Sequence, residues 1–193
     1  MPHIYGNRLR LRAAERSDIP LFTRWLSDPE VTENLLLRIP MALAEEENWY
    51  ENMLRQPSAE HVYVVEIKLP AADDGTEPTW LPIGNTSFMS IREFDRCAEI
   101  GIFLGEKAYW NQGYGTETMQ TMLRHGFETL NLHRIWLQVY ASNKRGIRAY
   151  EKAGFNREGV LREGHYQHGQ YLDIYIMSVL RHEWDQLSCV KGE

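Results

Sequence analysis

Between Tyr109 and Glu117 the chain reads Tyr-Trp-Asn-Gln-Gly-Tyr-Gly-Thr-Glu, and this stretch constrains the fold more than any other. An apolar strand pattern, Ile100 to Leu104, leads into it. An amphipathic run to Leu130 follows, with Met119, Met122, Leu123, Gly126, Phe127 and Leu130 on one stripe of a 3.6-residue period. The pattern therefore predicts strand, polar loop, then helix. Gly113 and Gly115 lack Cβ atoms, so the backbone can turn sharply and approach a ligand closely. The first N–H groups of the helix have no carbonyl partner, and the helix dipole adds partial positive charge there. Two readings stay open, a plain strand-to-helix turn and an anion site suited to phosphate or pyrophosphate. A Walker A loop is excluded, since no Gly-Lys-Ser/Thr follows, and the dinucleotide fingerprint fails because Thr118 stands where a third glycine is needed.

The chain has 193 residues, 43% hydrophobic and 25% charged, which predicts one globular domain over 1–193 with its core at about 9–184. The formal net charge is -6, with 21 basic and 27 acidic side chains. That balance argues against a nucleic-acid binder and suits cationic partners. Cys97 and Cys189 are the two cysteines, far apart. They exclude a disulfide scaffold and a cysteine zinc site, and fit a reducing cytoplasm. With no basic-then-apolar leader and no apolar run of the ~20 residues needed to span a bilayer, the expectation is a cytoplasmic protein without a membrane partner.

Arg8 to Arg12 alternates as a first strand whose arginines are expected on a solvated face. Ser17-Asp18-Ile19-Pro20 starts a helix running to about Ser27. A second helix follows Pro40, with Glu45, Glu46 and Glu47 near its start, and Trp49, Tyr50, Met53 and Leu54 as its buried stripe. His61 to Leu69, Leu81 to Ile91 and Cys97 to Leu104 read as strands, with 70–78 as an acidic hairpin loop in which Asp73 and Asp74 are solvated. Gly164 to Gly169 is expected to join two antiparallel strands and to carry His165 and His168 as polar loop residues rather than metal ligands. Trp184 is expected to close the globular part, with frayed residues after it.

After the strand Arg134 to Tyr140 comes Asn143-Lys-Arg-Gly-Ile-Arg-Ala-Tyr150-Glu-Lys-Ala-Gly-Phe155. Here the chain resembles the GNAT superfamily of N-acetyltransferases. The family's phosphate loop, Arg/Gln-x-x-Gly-x-Gly/Ala, matches Gly113 and Gly115, with Trp110 departing from the first residue. Its Asn, Tyr and Glu-Lys-x-Gly-Phe match Asn143, Tyr150 and Glu151 to Phe155, with Gly146 where Ala is commoner. The resemblance spans about Leu9 to Trp184. It implies an α/β (α+β) fold, a single domain with a mostly antiparallel twisted sheet, splayed central strands and flanking helices. It also implies acetyl-CoA as co-substrate and no metal.

On this reading Gln112, Gly113, Tyr114, Gly115 and Thr116 hold the coenzyme's phosphates, mainly through backbone N–H groups. Tyr150 is the candidate general acid, since a phenol (unperturbed pKa ~10) can donate to a departing thiolate. Its alternative is an aromatic on the stripe with Ile147 and Phe155. Asn143 either caps the second helix or also contacts the pantetheine arm. Glu99, a carboxylate in an apolar strand, is either the base or half of a structural salt bridge. A backbone N–H near Leu104 is expected to hold the thioester carbonyl. Glu163 and Asp173 read as ordinary surface charge or as contacts for a cationic acceptor.

The expected activity is acetyl transfer to a primary amine by direct attack, without a covalent enzyme intermediate. The loop and the ending Tyr171 to Trp184 look like the branch of ribosomal-protein N-terminal and polyamine acetyltransferases. The acceptor is therefore a protein N-terminus or a small amine, with Trp25 to Tyr50 shaping the choice. A non-catalytic acyl-CoA-binding sensor on the same fold is the alternative. Family members often pair as homodimers, but this sequence does not settle oligomeric state.

Overall fold

A computed structural model describes residues 3–35, 42–70 and 79–190, with the side chains of 188–190 left out of the description. Asp73, Asp74 and the Cys189 side chain fall outside the described residues, as do positions 36–41 of the segment expected to shape acceptor choice.

The chain forms two compact units that interleave in sequence, Met1–Ser87 with Ile102–Thr118, and Phe88–Gly101 with Met119–Glu193. In the first unit, β1 (Ile4–Tyr5), β2 (Leu9–Ala13), β3 (Tyr63–Lys68) and the first part of β4 (Trp80–Arg92) pair antiparallel in sequence order. In the second, β5 (Cys97–Leu104) pairs parallel with β6 (Arg134–Tyr140), which pairs antiparallel with β8 (Gln170–Leu180) and through it with β7 (Asn156–Gln167). Hydrogen-bonded neighbours follow the order β1-β2-β3-β4-β5-β6-β8-β7. This is an α/β architecture with a mostly antiparallel open sheet, as expected.

Helices α1 (Ile19–Leu26), α2 (Pro29–Thr32) and α3 (Leu43–Leu54) belong to the first unit. Their core is Phe22, Trp25, Val31, Tyr50 and Met53 packed with Val62 and Val64, and Phe103 and Trp110 lean on it. Helix α4 (Tyr114–Arg124) continues into a π-helical turn, His125–Thr129. Its predicted stripe is buried: Met119, Met122, Leu123 and Phe127 are at most 1% exposed. Gly126 sits where a Cβ would lie 2.6 Å from Ile135 and 2.9 Å from the Phe88 ring, so only glycine lets this turn pack on the strands. Helices α5 (Lys144–Ala153) and α6 (Arg181–Val190) complete the second unit.

Four expectations need correction. Leu54, placed on the buried stripe of the second helix, is 46% exposed. The arginines of the first strand are not a solvated row. Glu66, 4% exposed, accepts from Arg10 Nε at 2.7 Å and Arg12 Nε at 2.8 Å, while Arg12 also forks onto buried Asp18 at 2.7 Å through both terminal nitrogens. Two carboxylates removed from water require such partners. The connection expected over Gly164 to Gly169 shrinks to His168 and Gly169, both at positive φ, and His165 lies in β7. His165 is buried and stacks on Tyr140 at 4.1 Å between ring centroids. Finally, the helix Arg181–Val190 carries the chain past Trp184, which meets Phe127 at 6.0 Å, while 191–193 lie outside the described residues. No helix among the described residues is long and apolar enough to cross a membrane.

Candidate active site

The glycine loop lies in the first unit. Gly113 has φ +86°, a left-handed conformation that a side chain strains, so the sharp turn requires glycine at this position. Asn111 shares it at φ +60°, as Asn tolerates. Gly115 differs. Its φ is ordinary, and an added Cβ would meet nothing closer than Leu104 Cδ1 at 3.8 Å. Neither the turn nor the packing of the described residues demands glycine there. The backbone N–H groups of Gly113, Tyr114 and Gly115 have no acceptor among the described residues. Three such consecutive donors at a helix start suit an anion of the phosphate kind. Thr118 fills the place of a third glycine: it is fully buried and its hydroxyl donates to the Tyr114 carbonyl at 2.8 Å.

Trp110, the residue that departs from the family loop, donates its indole N–H to the Leu104 carbonyl at 2.8 Å and packs on the α1–α3 core. It ties the loop to the end of β5. Gln112 spends its side-chain amide on the Ala108 carbonyl at 2.6 Å, leaving backbone groups as its contribution to a ligand. Where β5 ends, Gly105 and Glu106 both donate to the Ile83 carbonyl, at 2.8 and 3.1 Å. Gly105 lies flat against the Trp25 indole, 2.1 Å from where its Cβ would be, and Trp25 Nε1 donates to Glu106 at 2.8 Å. Sequence reasoning missed Arg8. It hydrogen-bonds Glu117 and Gln112 and lies over the Tyr114 ring.

Glu99, Asn143 and Tyr150 lie in the second unit. Strands β5 and β6 share three register pairs, the last of them Glu99 with Trp136, although both strands continue beyond it. Along Leu137 to Tyr140, β6 keeps β8 as its partner. Glu99 thus sits where the parallel strands part. Burial pushes its carboxyl above the usual range, and a hydrogen bond from Gln138 partly offsets this. No cation pairs with Glu99 among the described residues.

Asn143 does cap α5, its Oδ1 accepting from Gly146 N at 2.8 Å. The unusual Gly146 belongs to this cap, because a Cβ there would come within 2.6 Å of the Asn143 side chain. Tyr150 lies two turns on. Its ring meets Phe155 at 6.1 Å, so it does pack on the predicted stripe. Yet by surface area it is only half-buried, and its hydroxyl has no hydrogen-bond partner among the described residues. Protein packed round the phenol pushes its pKa up to about 12, with Arg145 pulling weakly the other way. A donor that holds its proton and has no protein acceptor suits a general acid.

The acidic trio of α3 divides. Glu45 accepts from Ala42 N at 2.7 Å as a cap, Glu46 is 2% exposed and Glu47 is exposed. Asp173 accepts from Glu163 N at 2.9 Å, holding the bulge of β7 at a residue with φ +53°. Among the described residues no group of three or more His, Cys, Asp or Glu is gathered for a metal.

Comparison with known proteins bears on the family and the fold. An acetyltransferase (GNAT) domain profile matches residues 8–156. An uncharacterized N-acetyltransferase p20 of Bacillus licheniformis is 30% identical, covering 95% of this chain and 99% of that protein. A putative ribosomal N-acetyltransferase of Bacillus subtilis is 29% identical, over 53% of this chain and 55% of its own. The crystal structure of a spermidine N-acetyltransferase from Vibrio cholerae, in complex with CoA and spermine, superposes with a TM-score of 0.80 at 26% identity, covering 93% of this chain and 99% of that one. The chain therefore belongs to the GNAT acetyltransferase family and is an N-acetyltransferase.

Proposed function

We propose that this enzyme acetylates a primary amine of a small cationic acceptor of the polyamine kind, with acetyl-CoA as donor. The observation that carries the donor assignment is the run of N–H groups at Gly113, Tyr114 and Gly115 without an acceptor among the described residues, beside a Gly115 whose added Cβ would meet no described atom closer than 3.8 Å. The acceptor class draws support from the spermidine-acetylating relative, similar over 93% of the chain, and from the net charge of -6. A protein N-terminus is the competing acceptor.

Acetyl-CoA supplies an activated acyl group and a thiol leaving group. Gly113 to Thr116 hold its phosphates, and a backbone N–H at Leu104 takes the thioester carbonyl oxygen. Glu99 accepts the proton of the attacking amine, directly or through water, as a carbon–nitrogen bond replaces the carbon–sulfur bond. Tyr150 gives its phenolic proton to the departing thiolate and regains one from solvent. Asn143, having committed Oδ1 to the cap, offers its amide N–H to the pantetheine arm.

The test is CoA-thiol release against polyamines, N-terminal Ser and Ala peptides, lysine peptides and aminoglycosides, with Tyr150→Phe alongside. Turnover on polyamines, lost in the variant, is the expected result. Turnover on terminal peptides alone would move the acceptor to proteins. CoA binding without turnover on any amine would favour an acyl-CoA sensor.

A further inference from the structure

Helix α4 presents a contradiction at its start. An anion site gains nothing from a carboxylate, yet Glu117 stands in the first turn, its side chain only 12% exposed. The resolution comes from the other end of the first unit. Arg8, just before β2, donates its backbone N–H to Glu117 Oε1 at 2.6 Å and its Nε to Oε2 at 2.8 Å. Its Nη1 donates to the Gln112 carbonyl at 3.2 Å. Its guanidinium carbon lies 4.4 Å from the centre of the Tyr114 ring, and Nη2 is 3.2 Å from where a Gly113 Cβ would be. One side chain therefore touches or borders Gln112, Gly113, Tyr114 and Glu117.

We infer that Arg8 is the positioning residue of the coenzyme loop, with Glu117 as its anchor. Glu117 fixes the guanidinium, and the guanidinium then holds the Gln112 carbonyl and the Tyr114 ring on its own side of the turn. The N–H groups of Gly113 to Gly115 are left facing away from internal acceptors. Lysine cannot replace it, because the role needs a planar fork that donates and stacks together. This inference rests on the glycine loop being the acetyl-CoA site.

The experiment titrates CoA by calorimetry into the wild-type chain, Arg8→Ala, Arg8→Lys, Glu117→Ala and the double alanine variant, with steady-state kinetics and melting curves. Each single alanine change is expected to raise the CoA Kd and the acetyl-CoA KM about tenfold, the scale of a lost charge-assisted hydrogen bond. The kcat should hold within about twofold and the double variant should be no worse than either single one. Arg8→Lys should not restore binding. Simple electrostatics makes the opposite forecast, that Glu117→Ala tightens CoA and that Arg8→Lys rescues it, and either result would overturn positioning. So would a lower melting temperature with unchanged CoA affinity. A wild-type chain that does not bind CoA would instead end the acetyl-CoA reading itself, and this inference with it.

Discussion

Glu99 of β5 stands in register with Trp136 of β6, the last pair that the two parallel strands share. Beyond it β6 keeps β8 as its partner, with Gln138 placed to offer Glu99 a side-chain amide. A half-buried carboxylate at that point is held above its ordinary range by burial, while the amide bond acts in the opposite direction.

If Glu99 is the base, activity needs its ionised form. Turnover should therefore climb as pH rises through its elevated pKa, and Glu99→Gln should remove that acid-side limb while lowering kcat/KM by about 10²- to 10³-fold. The stability sign is opposite. A carboxyl whose folded pKa is raised favours folding when protonated, and that contribution is lost as pH rises through the folded pKa. Glu99→Gln should thus melt no lower than wild type at neutral pH, with any advantage shrinking in acid. An unchanged pH–rate profile would retire Glu99 as the base.

Tyr150→Phe removes a hydroxyl without a hydrogen-bond partner among the described residues, so melting should shift by no more than a surface change would, about 0.5 kcal/mol. CoA affinity should hold, and kcat should fall by roughly 10²-fold. With the phenol's pKa at about 12, it stays protonated throughout an ordinary assay range. No alkaline limb below that value should belong to it, as pH–rate profiles of both proteins would reveal.

The two glycines of the loop should separate. Gly113→Ala puts a side chain at φ +86° and should cost about 1 kcal/mol or more, together with CoA binding. Gly115→Ala meets only Leu104 Cδ1 at 3.8 Å and lies in a helical turn, so it should stabilise the fold by about 0.5 kcal/mol. It should nevertheless weaken CoA binding, because the Cβ occupies the ligand's path. Denaturant melts and calorimetry on the pair measure both effects, and unimpaired CoA affinity in Gly115→Ala would remove the close-approach argument.

Asp18 accepts both terminal nitrogens of Arg12 at 2.7 Å and the backbone N–H of Glu15 at 2.8 Å, and is 6% exposed. Removing one partner leaves the other charge poorly solvated, so Asp18→Ala should destabilise by about 3 kcal/mol. Asp18→Asn, which keeps the shape and loses the charge, should cost less. Chemical denaturation distinguishes them, and equal small effects would mean that water replaces the carboxylate.

Much of this molecule was legible in local patterns. The Cys97–Leu104 and Arg134–Tyr140 strands, the buried α4 stripe, the proline-started α1 and the Asn143 cap all depend on neighbours a few residues away. Period and capping chemistry are written into such neighbours directly. The turn at Gly113 was readable for the same reason, since a left-handed φ is a property of one residue. What escaped was the fate of side chains whose partners are distant. The solvated-arginine expectation failed because alternation on a strand tells which residues share a face and not what covers that face. His165 was placed in a loop because the polar run Gly164 to Gly169 reads as a turn, whereas β8 and Tyr140 supply the pairing and stacking that extend β7 through it.

By itself, then, the sequence determined the order of elements, the loop and its family, and the residue types able to do acetyl transfer, because each rests on spacing within one element or one motif. Tertiary structure decided which charges are spent and which are left for chemistry. Arg8 and Glu117 lie 109 positions apart, and only the folded chain brings them to one turn. Among the described residues Glu99 has no cationic partner, while Glu66 and Asp18 are both paired with arginine. The physical reason is desolvation: a charge acquires its partner, or its perturbed pKa, from what the fold packs around it, and that packing is set by strand register and core contacts far along the chain.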